Sequence, residues 1–393
     1  MNSKERMLAS MNHEIPDRVP VMCQLSLGHY FLNSEIQPSR IWFDSEIFAR
    51  NLVERQQEYG FDGILVNIPG RPADWQQNII KEEFIGNREL LYWKGDLITE
   101  FPPDDNPVIR CIDNTKVPRP DFSMFDPEDI NSYLVPGYIW GVWHMPYLWG
   151  FMDKPDLRKP VHYPACINRT FEIVKSMTED LSIHVEVYSP FTHFMELFGY
   201  EQALISLVVD PVKCQKILAM LTKFVGAQTE VFAKTGPDAI LVSSAFAGAG
   251  FIDRDMYKNF VQPYENEVFL KISSFELKSY VHTCGAIGDR LDLMAQTEVN
   301  GIDTLDPPPL GTVELDRAKE KYGKRFFFKG NLDSVNDILF ASDEHFEKAV
   351  IKRIRTGMKG SGYILSTACS VAPAVKPGRL KKLVNYAETY GTY

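Results

Sequence analysis

SYVHTCG, residues 279–285, is where the reading of this chain turns from packing to chemistry. On a β-strand alternate side chains share a face. His282 and Cys284 therefore point the same way, an arrangement that suits a metal ion better than a packed interior. Seven other runs resemble this strand in length and apolar character: VPVMCQLSL (19–27), GILVNI (63–68), IHVEVYSP (183–190), DAILVSSAF (238–246), GIDTLDPP (301–308), RFFFKGNL (325–332) and GYILSTACS (362–370). Runs that are apolar on both faces belong to parallel sheets covered by helices.

Helix-like stretches separate most of these strands. Residues 201–235 read as two helices with Pro211 near the break, followed by 253–276, 289–298, 313–323 and 344–358. Eight alternations predict an α/β fold, a TIM (β/α)8 barrel forming a single domain over 1–393. Strands two and three are separated by about 69–182, rich in Pro, Asp, Trp and Tyr. This interval reads as an inserted lobe of hairpins and short helices on the catalytic face. Its aromatic stretch YIWGVWHMPYLWGF (138–151) is either a substrate lid or a segment that packs on the barrel.

Barrel active sites form at the C-terminal ends of the strands. There the sequence places His282 and Cys284 on strand five, Cys369 on strand eight, Asp306 on strand six, and Asn331 and Asp333 on strand seven. Asn67 ends strand two, Glu186 and Tyr188 lie on strand three, and Cys23 and His29 lie in or beyond strand one. Asn67, Asp306 and Asn331 are the candidates for holding substrate. His282, Cys284 and Cys369 carry borderline-soft donors that suit Zn²⁺, and three protein ligands with one open position is the catalytic zinc arrangement. Cys369 lies 85 residues beyond Cys284, so only barrel topology brings the sulfurs together. Cys23 reads as a packed thiol, as do Cys111, Cys166 and Cys214. His193 and Glu196 read as a solvated or core-edge pair. Glycines at 330, 360 and 362 lack the spacing of a phosphate loop.

Bulk properties narrow the function. The chain has 393 residues, 45% hydrophobic and 24% charged, with a net charge of −10. That balance describes a globular domain with a large core and argues against nucleic acid, which calls for a concentrated basic surface. No run approaches the roughly 18 apolar residues of a membrane span. The first twenty residues carry charges and prolines without an apolar targeting segment. The expected compartment is the reducing cytoplasm, with the cysteines kept as thiols.

VHTCGAIGDRLDLMAQTEVNGIDTLD (281–306), VELDRAKEKYGKRFFFKGNLDS (313–334) and GYILSTACSVAP (362–373) resemble the uroporphyrinogen decarboxylase superfamily, as do VYSPFTHFMELFGYEQAL (187–204) and FIDRDMYKNFVQPY (251–264). The decarboxylase branch holds its polycarboxylate substrate with an arginine-containing motif after strand one. Here that stretch is MCQLSLGHY (22–30), without arginine. Fixed guanidinium groups are what such a substrate needs. The other branch contains corrinoid-dependent zinc methyltransferases, marked by His-x-Cys and a distant Cys, which fall on His282, Cys284 and Cys369. The resemblance implies a methyltransferase moving a methyl group between cobalamin and a small donor or acceptor, either a thiol or a methyl compound such as a methoxylated aromatic. The O-demethylase direction is favoured. A general acid would come from Glu186, Tyr188 or His29. The chain has no DxHxxG cobalamin motif, so the corrinoid is expected on a partner protein. A small molecule and a second copy of the chain in a homodimer complete the expected partners. The alternatives are a zinc-free decarboxylase and a non-catalytic corrinoid- or tetrapyrrole-binding protein.

Overall fold

The computed structural model describes residues 1–133 and 156–393. The aromatic stretch 138–151 lies outside them. The described strands are β1 (Gly63–Val66), β2 (Ile79–Ile85), β3 (Arg88–Trp93), β4 (Leu97–Phe101) and β5 (Val108–Cys111), then β6 (Ser182–Tyr188), β7 (Ala239–Ser243), β8 (Lys278–His282), β9 (Gly301–Thr304), β10 (Phe327–Leu332) and β11 (Tyr363–Thr367). Seven of them pair in the order β1-β6-β7-β8-β9-β10-β11. Every pairing in this sheet is parallel.

Residues 20–25 supply the eighth stave. On one side the Leu365 amide donates to the Pro20 carbonyl (2.8 Å), Met22 donates to the Leu365 carbonyl (3.0 Å) and Val371 donates to the Gln24 carbonyl (2.8 Å). On the other side Asp62 donates to the Val21 carbonyl (2.8 Å). Only isolated bridges form here, at Val21 and Leu25. Pro20 has no N–H to extend the ladder. With this stave the sheet closes into the expected α/β TIM-type barrel.

Alternation along each stave sorts side chains into two cores. The odd-numbered face of β1 and the residues in register with it turn inward. Met22, Leu65, Ala239, Leu241, Tyr280, Phe327 and Ile364 form one buried cluster inside the barrel. Val21, Ile64, Val66, Val185, Ile240, Val242, Val281, Ile302 and Leu365 belong to a larger one, where the sheet meets its helices. The inner cluster is sealed from below by Met7 and Met11. Both sit on the helix Ser3–Met11, which a capping box between Asn2 and Glu5 starts. Burying an apolar side chain of this size is worth about 1.5–3 kcal/mol. Asp62, at the foot of β1, anchors this end: Arg6 reaches one carboxylate oxygen at 2.7 Å and Arg18 the other at 2.8 Å.

The helical readings hold with local changes. Tyr200–Val209 and Pro211–Ala233 are separate helices, and the Asp210 side chain caps the second. The stretch 253–276 splits into Arg254–Phe260 and Gln262–Ser273. Val261 leaves helical geometry at the split, and Pro263 cannot donate an intrahelical bond. Within 289–298 only Leu291–Met294 is α-helical. Between β1 and β6, strands β2–β5 form an antiparallel sheet. Phe43 fastens it to the body, its ring 5.1 Å from Trp75, 5.1 Å from Trp93 and 5.9 Å from Phe101.

Candidate metal centre

The upper end of the barrel interior is polar. Ser243 is in register with His282, His282 with Asp303, and Asp303 with Lys329. On the remaining staves the inward positions above the apolar cluster are Gln24, Asn67, Glu186 and Ser366, each two residues past an inward neighbour. Eight staves thus each offer one polar side chain beneath the mouth.

Three side chains converge there. Cys284 Sγ lies 3.4 Å from His282 Nε2 and 3.9 Å from Cys369 Sγ, and Cys369 Sγ lies 3.9 Å from His282 Nε2. Zn–S bonds of about 2.3 Å and Zn–N bonds of about 2.0–2.1 Å around a tetrahedral ion demand ligand–ligand separations of about 3.5–3.8 Å. The observed triangle matches that requirement within a few tenths of an ångström, and both cysteines are free thiols. Gly285 follows at φ 78°, a left-handed turn glycine takes without strain, and its amide donates to Asp306 Oδ2 (2.5 Å).

The imidazole is held from behind. His282 Nδ1 donates to Asp303 Oδ2 at 2.9 Å, with Thr304 Oγ1 also at 2.9 Å. Nε2 is thereby presented to the sulfurs, as carboxylate-oriented metal histidines require. Lys329 Nζ donates to the other Asp303 oxygen at 3.0 Å. All three partners are buried, so the Asp303 charge is paired twice away from water. Beyond Asp303 the backbone turns through positive φ at Thr304 (76°) and Leu305 (57°). Strain of this kind persists where surroundings over-determine it, and here it lies between Asp303, bonded to His282, and Asp306, bonded to the Gly285 amide.

The three donors shift one another's proton affinities. Burial opposes a charged His282, but Asp303 and Cys369 outweigh it and raise the ring to about 10. Hydrogen bonds from Cys284 and His282 hold Cys369 well below the ordinary thiol range. The adjacent Cys369 pushes Cys284 up. A divalent ion displaces protons from such donors. Among the described residues this is the one His/Cys/Asp/Glu group placed to ligate an ion.

The other candidates scatter. Glu186 is buried near His282, with one oxygen bonded to Ser243 Oγ and the other without a partner among the described residues. Burial lifts it to about 7. Tyr188, also buried, is driven well above its usual value by desolvation. His29 is turned into the wall, with Nε2 on Tyr59 Oη (2.8 Å) and Nδ1 on the Pro373 carbonyl (3.2 Å), and burial lowers it to about 4. Asn331 donates to the Leu305 carbonyl (2.8 Å), tying β10 to β9. Asp333 caps the turn that follows β10. Asn67 stands at the mouth, its carboxamide oxygen buried and without a partner among the described residues. His193 and Glu196 are both buried in the helix Pro190–Phe198. They are not solvated, because that helix packs its whole length into the core. Ser243, Asp303, Thr304 and Lys329 escaped the sequence reading. The signal was present: a lone charged residue at an inward position of an otherwise apolar strand, as in GIDT and FFKG.

A family model described as uroporphyrinogen decarboxylase (URO-D) matches residues 152–390. Among curated proteins, methylcobamide:CoM methyltransferase MtbA of Methanosarcina acetivorans is 24% identical over 174 residues, covering 44% of this chain and 48% of that protein. Uroporphyrinogen decarboxylase of Bacillus velezensis is 29% identical over 178 residues, covering 44% and 45%. The chain thus spans about half the length of the curated relatives it matches. A solved structure, a methyltransferase from Methanosarcina mazei, superposes over 99% of both chains with a TM-score of 0.68 at 15% identity, a likeness of fold.

Proposed function

The chain belongs to the uroporphyrinogen decarboxylase (URO-D) family, and on that premise we propose that it is a zinc-dependent methyltransferase exchanging a methyl group with the cobalamin of a separate corrinoid protein. The observation that carries the reading is the His282–Cys284–Cys369 triangle, whose edges of 3.4, 3.9 and 3.9 Å suit one tetrahedral ion. Zinc held by these three would lower the pKa of a thiol or accept the charge of a departing oxygen.

The chain's own groups supply the rest. Asp303 fixes the His282 tautomer, and Lys329 fixes Asp303. Glu186, poised at about 7 by burial, carries a proton near neutrality on the oxygen that Ser243 does not occupy. In the demethylating direction a reduced corrinoid brought by the partner would supply the nucleophile that takes the methyl group, and the carbon–oxygen electron pair would be left on the departing oxygen. Glu186 is placed to give the oxygen its proton, with Tyr188 as the second donor. Both directions are in-line displacements in which positioning and charge stabilisation supply most of the rate. The methyltransferase of Methanosarcina acetivorans supports this reading by its name.

A zinc-free decarboxylase is the second reading, favoured by the Bacillus velezensis relative. The stretch 22–30, which carries no arginine, weighs against it. The reducing cytoplasm fits six free cysteines. Among the described residues no helix is long and apolar enough to cross a membrane. The test is to mix zinc-replete protein with cob(I)alamin and methoxyaromatics, methylamines or methanol, and with methylcobalamin and thiols, while following the corrinoid spectrum. A zinc-dependent spectral change with at least one compound is expected. No change with any, alongside carbon dioxide release from a tetrapyrrole acid, would overturn the proposal.

A further inference from the structure

Strand β2 reads IIKEEFI over 79–85 and lies at one edge of the antiparallel sheet β2-β3-β4-β5. Among the described residues only β3 pairs with it. Ile80, Phe84 and Ile85 are 65%, 55% and 58% exposed, on a strand without proline. An open edge of this kind is a template for another strand.

The hairpin decides which backbone groups face the open side. Gly86 (φ 62°) and Asn87 form a two-residue turn between Ile85 and Arg88, which are in register. A turn of this length closes a hydrogen-bonded pair. Ile85 and Glu83 therefore direct their N–H and C=O groups to β3, while Glu82 and Phe84 direct theirs outward. If the docking strand is β2 of another copy running antiparallel, outward-facing residues must meet outward-facing residues. A twofold axis must then pass through a residue of the strand rather than between two.

Charge selects the residue. An axis through Lys81 would set Lys81 against Lys81 and Ile80 against Glu82. One through Glu83 would set Glu83 against Glu83 and Phe84 against Glu82. With the axis at Glu82, Lys81 of each copy faces Glu83 of the other, Ile80 faces Phe84, and Ile79 faces Ile85. Glu82 opposite itself is then the one like-charge contact. Charges on an edge ordinarily blunt it, and Lys81, Glu82 and Glu83 do so against an unrelated strand. Against the same strand turned end for end they alternate in sign. Lys81 and Glu83 are already held for this: Lys81 Nζ lies 2.8 Å from Glu83 Oε2 and 5.0 Å from the centre of the Tyr92 ring, and Tyr92 Oη donates to the same Glu83 oxygen at 2.8 Å.

We propose that two copies of this chain associate antiparallel through β2, about a twofold axis at Glu82, joining their sheets into one. The inference gives a second copy a surface and a register, and it does not depend on the methyl-transfer reading. Seven residues a side fall well short of the roughly 20–30 of a stable interface. Half-association is therefore expected at about 10–100 µM chain.

The test is sedimentation velocity of the full-length protein between about 1 and 300 µM. Wild type is expected to show a concentration-dependent equilibrium of monomer and dimer. Lys81→Glu should weaken it at least about 10-fold, by setting like charges opposite at two symmetric points, and Lys81→Glu combined with Glu83→Lys should restore it. Glu82→Gln and Glu83→Gln remove the same charge from the same strand. The first should nevertheless tighten the dimer, by relieving the contact at the axis, and the second should loosen it. A chain that stays monomeric throughout would overturn the inference. So would a dimer indifferent to Lys81→Glu, a double variant no tighter than the single one, or two glutamine variants that shift the equilibrium in the same direction. Circular dichroism checks that each variant is folded; should Lys81→Glu not be, the glutamine pair decides.

Discussion

The inside of this barrel is two different materials stacked about one axis. The lower layer, Met22, Leu65, Ala239, Leu241, Tyr280, Phe327 and Ile364, is apolar but for His184, whose Nδ1 lies 2.9 Å from Tyr280 Oη, and is closed by Met7 and Met11. The upper layer, from Gln24 round to Ser366, is polar and bears the His282–Cys284–Cys369 triangle. Both occupy the same inward positions of the same strands, two residues apart. The difference teaches that stability and chemistry are carried by successive steps of one strand alternation. They should therefore respond separately to substitution.

The sharpest break in that separation comes from the sulfurs. Cys284→Ala or Cys369→Ala is expected to reduce bound zinc from about one per chain to under about 0.1, and methyl transfer by about 10³-fold or more. Melting of the zinc-stripped proteins should stay close to that of stripped wild type. Metal analysis beside thermal unfolding reads both.

One step lower the outcome should invert. Phe327→Ala should cost about 3–5 kcal/mol in denaturant unfolding, while zinc per folded chain is retained. Loss of metal without loss of stability would show that the layers are not independent.

Asp303→Asn lies between them. Removing the carboxylate behind His282 should weaken zinc about 10–100-fold in chelator competition, and leave the Lys329 charge buried without its partner.

The pH dependence of stability sharpens the comparison for Glu186. Its folded-state pKa is raised to about 7, above the ordinary carboxyl value. The neutral form is therefore the one that folding favours. Its contribution is complete in acid, below the unfolded pKa, and is lost as pH rises through about 7. Relative to Glu186→Gln, wild type should lose ~1–3 kcal/mol between about pH 5 and pH 8. A constant difference across that range would contradict the burial argument. The smallest effect belongs to the plug below: Asn2→Ala removes a helix cap and should cost about 1 kcal/mol, with no change in zinc affinity.

Much of this was legible in the residues. Strands buried on both faces announce themselves as apolar runs, so VPVMCQLSL through GYILSTACS located all eight staves. The strand-end position of His282, Cys284 and Cys369 drew attention to them before any distance was known. The supporting layer was harder to see. Asp303 and Lys329 look like ordinary charges until the register β8–β9–β10 sets them side by side. The Ser3–Met11 plug is a short helix whose role depends on which end of the barrel it meets, a tertiary fact with no local signature. Strands β2–β5 lie in the interval read as hairpins and short helices, where the sequence showed the kind of element without the limits of each strand. His29 shows the opposite error, a chemically capable residue at a promising position, whose ring the fold turns onto Tyr59.

X-ray absorption at the zinc edge of the wild-type protein tests the central claim most directly. The account predicts two sulfur neighbours at about 2.3 Å and one imidazole nitrogen at about 2.0–2.1 Å, with one further light atom. A shell of oxygen and nitrogen alone, or a protein that takes up no zinc, would contradict it.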